Sequence, residues 1–153
     1  MKRLELKFPP LLIVAVFAAA MVALARAFPA ASIALPLRVP AAIALAVLGG
    51  VIAIAGVIAF RAHRTTVNPM RPESAATVVI GGVYRFSRNP MYLGLLLALA
   101  GLAVYVSNAL AMLLLPAFVA CMNRVQIEPE ERALAARFGE QYAAYRARVR
   151  RWV

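Results

Sequence analysis

The sequence predicts an all-α, polytopic membrane helix bundle: about four transmembrane helices forming one domain over residues 1–153, with a C-terminal amphipathic helix in the cytoplasm. Three observations carry this expectation. The chain is 64% hydrophobic with a mean hydropathy of +0.81, whereas soluble domains sit nearer half apolar. Its apolar residues fall into four runs separated by polar or proline-containing connectors. Its basic residues fall almost entirely on one side once four spans are drawn, as cytoplasmic loops require.

The first run, Leu11–Ala25, is preceded by Phe8-Pro9-Pro10 and closed by Arg26, and gives a span over about residues 9–26. The positive N-terminal tail (Lys2, Arg3, Lys7) does not make this a cleavable signal, because the large Phe28-Pro29 follows and further spans come after. Residues 27–39 form an outer connector. Pro40–Phe60 is the clearest span, with no charge between Arg38 and Arg61; its Gly49-Gly50 and Gly56 would let a neighbouring helix come close, in this chain or in a second copy. Residues 61–89 form a long polar connector. Thr65, Asn68, Pro69, Pro72 and Ser74 break any helix there, and Thr77–Ile80 is an apolar patch that lies on the bilayer or covers a site.

Residues 91–106 and 109–123 form an antiparallel pair of short apolar helices turning at Ser107-Asn108, with Pro116 kinking the second. From residue 128 the chain changes character. Glu130-Glu131 occupy a first helical turn, where the helix dipole favours acid. Leu134, Phe138, Tyr142, Tyr145 and Val149 recur at three- and four-residue spacing among arginines. That pattern reads as an amphipathic membrane-surface helix with a break near Gly139.

With this topology the N-terminal tail holds three Lys and Arg residues, the long connector five, and the chain from Arg124 onward seven, fifteen of the 17; Arg26 and Arg38 lie opposite. Both termini and the long connector therefore face the cytoplasm. The net charge of +11 would suggest nucleic acid in a soluble chain, but sidedness accounts for it and no nucleic-acid partner is expected. Cys121 is the one cysteine and His63 the one histidine, so no disulfide within the chain and no metal site are expected.

The most motif-like stretch is Gly81–Gly94, GGVYRFSRNPMYLG. Asn89 suits a helix N-cap and Pro90 the first helical position. Arg88 beside that N-terminus suits a carboxylate or phosphate, and Tyr84 and Tyr92 add aromatic edges. Glu130-Glu131 share its compartment.

Two segments in this order, GVYRFSRNPMYLG after TTVNP and then EERALAARFGEQYAAYRARV, resemble the isoprenylcysteine carboxyl methyltransferase and phospholipid methyltransferase superfamily of membrane enzymes. The first is similar to that family's G-x-Y-x-x-x-R-H-P-x-Y-x-G, the second to its acidic pair, F-G-x-x-Y-x-x-Y and closing R-V; together they cover about Thr65–Val149. The resemblance implies S-adenosylmethionine as cofactor, with contacts from Tyr84, Arg88, Asn89, Pro90, Tyr92, Glu130 and Glu131. Arg148 matches the closing R-V arginine and is expected to orient the acceptor or offset its charge. Asn89 stands where the family has His, which removes any imidazole role. Arg150-Arg151 stand where the prenylcysteine enzymes continue with proline and apolar residues, which weakens the case for a prenylcysteine substrate.

The expected function is methyl transfer to a lipophilic small-molecule or prenylated acceptor from the bilayer. A carboxylate acceptor is favoured, because it needs no general base and the sequence shows none. Two other readings are a sterol-type membrane reductase using NADPH and a membrane scaffold whose basic tail binds anionic lipid.

Overall fold

The computed structural model describes residues 8–62 and 77–153; the basic N-terminal tail, His63 and the TTVNP segment lie outside them. The described residues form five α-helices in order: α1 (Pro10–Ala27), α2 (Arg38–Ala62), α3 (Pro90–Val106), α4 (Ala109–Met122) and α5 (Glu128–Arg148). Among the described residues the only strand-like pairing is one bridge, Ser32 with Asn108, so the all-α expectation holds. α1, α2 and the helical rod that begins with α4 are long and apolar enough to cross a membrane, while α3, at 17 residues, is a shorter apolar helix. Large apolar side chains stay exposed along one side of α2 (Ile43, Val47, Val51, Ile54, Ile58), as expected of a helix whose outer face meets lipid.

The connection between α4 and α5 differs from the sequence reading, which separated the hairpin from the tail. The rod is continuous through a π turn at Asn123–Ile127, where the Glu128 N–H reaches back five residues to the Asn123 carbonyl. Pro129 has no N–H to offer the ladder, and the wider turn carries the helix past it. The rod then breaks at Gly139, whose φ of 49° and ψ of −123° suit glycine alone.

The core has two parts. In the first, α1 packs on α3 and α4 through Ile13, Met21, Leu99, Phe118 and Met122, with Phe17 and Phe118 meeting edge to face at 5.4 Å. At this end Ser107 adopts a left-handed conformation, and Asn108 Oδ1 caps α4 by accepting from the Leu110 and Ala111 N–H groups. Asn108 Nδ2 also donates to the Phe28 carbonyl at 2.9 Å, tying the outer connector down. In the second part, at the opposite end, the apolar face of α5 (Leu134, Phe138, Tyr142, Tyr145) covers Phe60, Val78, Val79 and Tyr84. The face read as lying on the membrane therefore has a partner within the chain.

What brings α2 and α3 together is a seam of small residues. Ala42, Gly49 and Gly56 are buried on α2 at seven-residue spacing, facing Gly94 and Gly101 of α3. A Cβ added at Gly101 would lie 2.8 Å from the Ala42 carbonyl oxygen, and one at Gly94 would lie 2.8 Å from Ala53 Cβ, with the Gly49 carbonyl oxygen also in the way. Backbone meets backbone here, so nothing can yield cheaply. Gly49 and Gly56 thus serve an intrachain contact, whereas a Cβ at Gly50 would meet open space. Gly94→Ala is expected to cost about 1–3 kcal/mol through overpacking, read as a lowered thermal midpoint in detergent. Gly50→Ala should hold or raise the midpoint, since alanine is the better helix former; equal midpoints would mean the seam is not tight.

Candidate active site

The second core encloses a cavity of about 90 Å³ lined by Phe60, Val78, Val79, Tyr84, Arg88, Asn89, Met91, Tyr92, Glu130, Glu131, Leu134, Tyr142 and Tyr145, among others. Its floor is the start of α3, reached through the 3-10 turn Gly82–Arg85, in which Gly82 takes a positive φ of 58°. This turn buries Tyr84 and is held by the Tyr145 hydroxyl, which donates to the Tyr84 carbonyl at 2.7 Å. Pro90 occupies the first turn of α3, as its fixed φ and missing N–H suit. Asn89 stands at the N-cap position, but its side chain caps nothing in the helix: Nδ2 donates to the Arg151 carbonyl at 2.9 Å.

Arg88 is the most heavily engaged side chain. Nη1 donates to the carbonyls of Arg146 (3.0 Å) and Val149 (2.8 Å), and Nη2 to Glu131 Oε1 (2.7 Å). Its backbone N–H donates to the Arg150 carbonyl. Only Nε remains, buried and without a partner among the described residues. Glu131 is shared: Arg151 donates to its Oε1 through Nε (3.2 Å) and to its Oε2 through Nη2 (2.7 Å), while a more exposed contact of 3.6 Å links Arg151 to Glu128. Two cations thus face two carboxylates, and the cluster is balanced.

The adjacent acids are driven apart. Burial alone would raise Glu131, but hydrogen bonds from Arg151 and Arg88, together with their charges, outweigh it and hold the carboxyl below its ordinary range. Among the described residues no cation is paired with Glu130. Burial pushes it up to about 8 against the lowering effect of the hydrogen bond that the Tyr92 hydroxyl donates to it, and the charge of Glu131 adds to the rise. Two carboxyls one residue apart therefore hold opposite protonation states near neutrality, a pattern typical of sites that need both an acid and a base.

Of the residues singled out in the sequence, the structure brings Tyr84, Arg88, Asn89, Tyr92, Glu130 and Glu131 to one cavity, with Pro90 buried beside it. It does not bring Arg148 there: that side chain is exposed and its Nε folds back onto the Ala144 carbonyl. The arginine from this end of the chain that reaches Glu131 and Glu128 is Arg151, on the non-helical segment Val149–Trp152 that follows α5. Trp152 pins this segment by donating from Nε1 to Asn123 Oδ1 at 3.0 Å. Val78 and Val79 belong to the Thr77–Ile80 patch, and of its two expected roles the structure shows the covering of a site. Arg151 entered the sequence reading only as a departure from the family pattern, and Trp152, Asn123 and Phe60 were not singled out as site residues. The one signal present was the lone tryptophan beside two arginines at a chain end. Among the described residues no group of three His, Cys, Asp or Glu is placed to hold a metal.

Fold and site together define a membrane helix bundle with an enclosed, acid- and arginine-lined site at one end. The family model described as phospholipid methyltransferase matches residues 37–141, more than half of the chain, and the chain belongs to that family, within the group of isoprenylcysteine carboxyl and phospholipid methyltransferases. It is an integral membrane protein of methyltransferase type. The matched span contains every residue expected to meet the cofactor and stops short of Tyr142 and the terminal segment. A Haemophilus influenzae protein, described only as uncharacterized, is 41% identical over 63 residues, which are 41% of this chain and the whole of that protein. No solved structure matches.

The raised Glu130 has a stability consequence. Between about pH 4.5 and 8 the folded protein holds a proton on Glu130 that the unfolded chain has released, so stability falls as pH rises through that window. Glu131 acts in the opposite sense and below pH 4.5, so the two windows do not overlap. Thermal midpoints measured from pH 5 to 8.5 should decline more steeply for the native protein than for Glu130→Gln; parallel curves would place the Glu130 proton elsewhere.

Proposed function

We propose that this protein transfers a methyl group from S-adenosylmethionine to a lipophilic acceptor that reaches the cavity from the bilayer. The observation that carries the reading is that two segments 43 residues apart, meeting through Arg88 and Glu131, put the family-matched acids, arginine and tyrosines around one cavity. The donor set fits the cofactor. Carboxylate oxygens suit an ammonium or ribose hydroxyls, the unpartnered Arg88 Nε–H suits a carboxylate, and tyrosine rings suit an adenine. Tyr84, Arg88, Asn89, Tyr92, Glu130 and Glu131 would hold it, with Tyr142 and Tyr145 completing the wall. Bound there, it would supply a methyl group on a sulfonium sulfur, open to in-line attack.

The chain's own contribution is orientation and dryness. Phe60, Val78, Val79 and Leu134 keep water from the reacting atoms, and the Arg88–Glu131 pair fixes the floor against the α5 wall. A carboxylate acceptor arrives ionised and needs nothing more. A second reading is favoured by one observation: Glu130, hydrogen-bonded to Tyr92 and lining the cavity, is a base for an amine acceptor. The carboxylate preference rested on the lack of any such base in the sequence. In the amine case the ammonium of the acceptor gives its proton to ionised Glu130, and the freed lone pair attacks. The distribution of basic residues supports a site facing the cytoplasm, with both termini on that side.

Calorimetry on detergent-solubilised protein should give saturable S-adenosylmethionine binding and none with NADPH. Glu131→Gln should weaken binding by about ten- to hundredfold, the worth of a charge-assisted hydrogen bond. NADPH binding alone would favour the reductase, and binding of neither the scaffold. With an acceptor in hand, the rate should rise with pH toward about 8, the raised value for Glu130, and lose that dependence in Glu130→Gln if the acceptor is an amine. A rate flat across the range in both proteins would favour a carboxylate.

A further inference from the structure

Apart from Arg88 Nε, the groups that the methyltransferase reading assigns to the cofactor are largely taken. Both terminal nitrogens of Arg88, the side-chain amide of Asn89 and both carboxylate oxygens of Glu131 are bonded within the protein, chiefly to the segment that ends the chain. The cavity left over is about 90 Å³, against roughly 300–1,000 Å³ for sites that enclose small molecules. A ligand that used the same polar groups would have to displace what holds them. The terminal segment does not line the cavity itself: Arg151 meets Glu131 beside a neighbouring cleft that it shares with Glu128 and Arg146. The elements around these groups differ in how firmly they are held. α2 and α3 meet backbone to backbone, and the turn before α3 is clamped by Tyr145. Val149–Trp152 is a short non-helical strap beginning where α5 ends, with Val149 at φ −121° and ψ 132°. Its hydrogen bonds run to Arg88, Asn89, Glu131 and Asn123.

We propose that this strap is a built-in occupant of the cofactor's polar subsite: Arg151 holds Glu131 in place of the ligand's cationic group, and binding of the cofactor releases it. The proposal rests on the methyltransferase reading. Its charge balance is favourable. Stripping a cation from a buried carboxylate is costly unless another replaces it, and an incoming ammonium makes that exchange. Arg151 has a second place to go, because Glu128 lies 3.6 Å away and is far more exposed than Glu131 (45% against 8% for the side chains). Asn89 is freed in the same movement, and Arg88 loses its bonds to the Val149 and Arg150 carbonyls while keeping Glu131 and the Arg146 carbonyl. The family-matched span ends at residue 141, so the strap lies outside it.

Trp152 is the only tryptophan in the chain and sits on the strap, so its fluorescence reports the strap's position without any turnover. Titration of the full-length protein with S-adenosylmethionine should shift Trp152 emission and increase its quenching by acrylamide, saturating at the concentration found by calorimetry. Arg151→Ala should show the open signature before ligand is added and bind the cofactor more tightly, by up to about tenfold if the strap covers the site nine-tenths of the time. Arg151→Lys, which keeps the charge but not the paired contact, should fall between. Cofactor binding with unchanged Trp152 emission, or weaker binding by Arg151→Ala, would make the strap a fixed wall and overturn the proposal. Absence of binding in the native protein and both variants, each showing a cooperative thermal transition, would overturn the methyltransferase reading, and the strap's role with it.

Discussion

A guanidinium taken out of water demands partners, and Arg88 is where this protein meets that demand at every nitrogen but Nε. Its charge lies beneath the second core, and leaving it uncompensated would cost several kcal/mol. The chain therefore wraps around it. The turn before α3 supplies the arginine, α5 supplies Glu131 and the Arg146 carbonyl, and the terminal segment supplies carbonyls at Val149 and Arg150. Three parts of the sequence that share no local pattern are held in one place by a single side chain. With Glu131 pinned between Arg88 and Arg151, the next residue back along the helix is fixed as well, and Glu130 is turned to Tyr92.

Two backbone devices make that meeting possible. The small-residue seam lets α2 and α3 run in contact, so that Phe60 at the end of one and Tyr92 at the start of the other line the same cavity. The π turn after α4 inserts an extra residue into the rod, which in a helix of 3.6 residues per turn rotates the α5 portion by about 100°. The acids are thereby aimed by α5 independently of the face that α4 presents to α1. π turns concentrate at functional sites in general, and here the turn also supplies Asn123, the residue that anchors Trp152.

The chemistry that results is a polar site at the rim of an apolar bundle. Its two carboxyls differ because their surroundings differ. One faces two cations, and the other faces a phenol and apolar walls. On the proposed reading a soluble donor and a lipid-borne acceptor have to meet away from water, and a cavity at the end of apolar helices suits that need.

Much of the fold was legible from local pattern. Unbroken apolar runs gave the spanning helices, Pro90 the start of α3, Ser107-Asn108 the turn, and Gly139 the break, because each follows from propensity, capping or backbone freedom within a few residues. The two motif segments gave six of the cavity's lining residues in advance. What only the tertiary structure decided was which partners those residues take. Gly49 and Gly56 face α3 rather than a second copy, the apolar face of α5 covers Val78 and Val79, and Asn89 holds a strap carbonyl instead of capping a helix. Arg148, Arg150 and Arg151 look alike in sequence, yet Arg151 alone carries its guanidinium to Glu131, 20 residues back along the chain. The choice among them depends on where α5 ends and which way the chain then turns. Local sequence determines the conformation of each segment, whereas the pairing of buried charges is set by the path the whole chain takes around them.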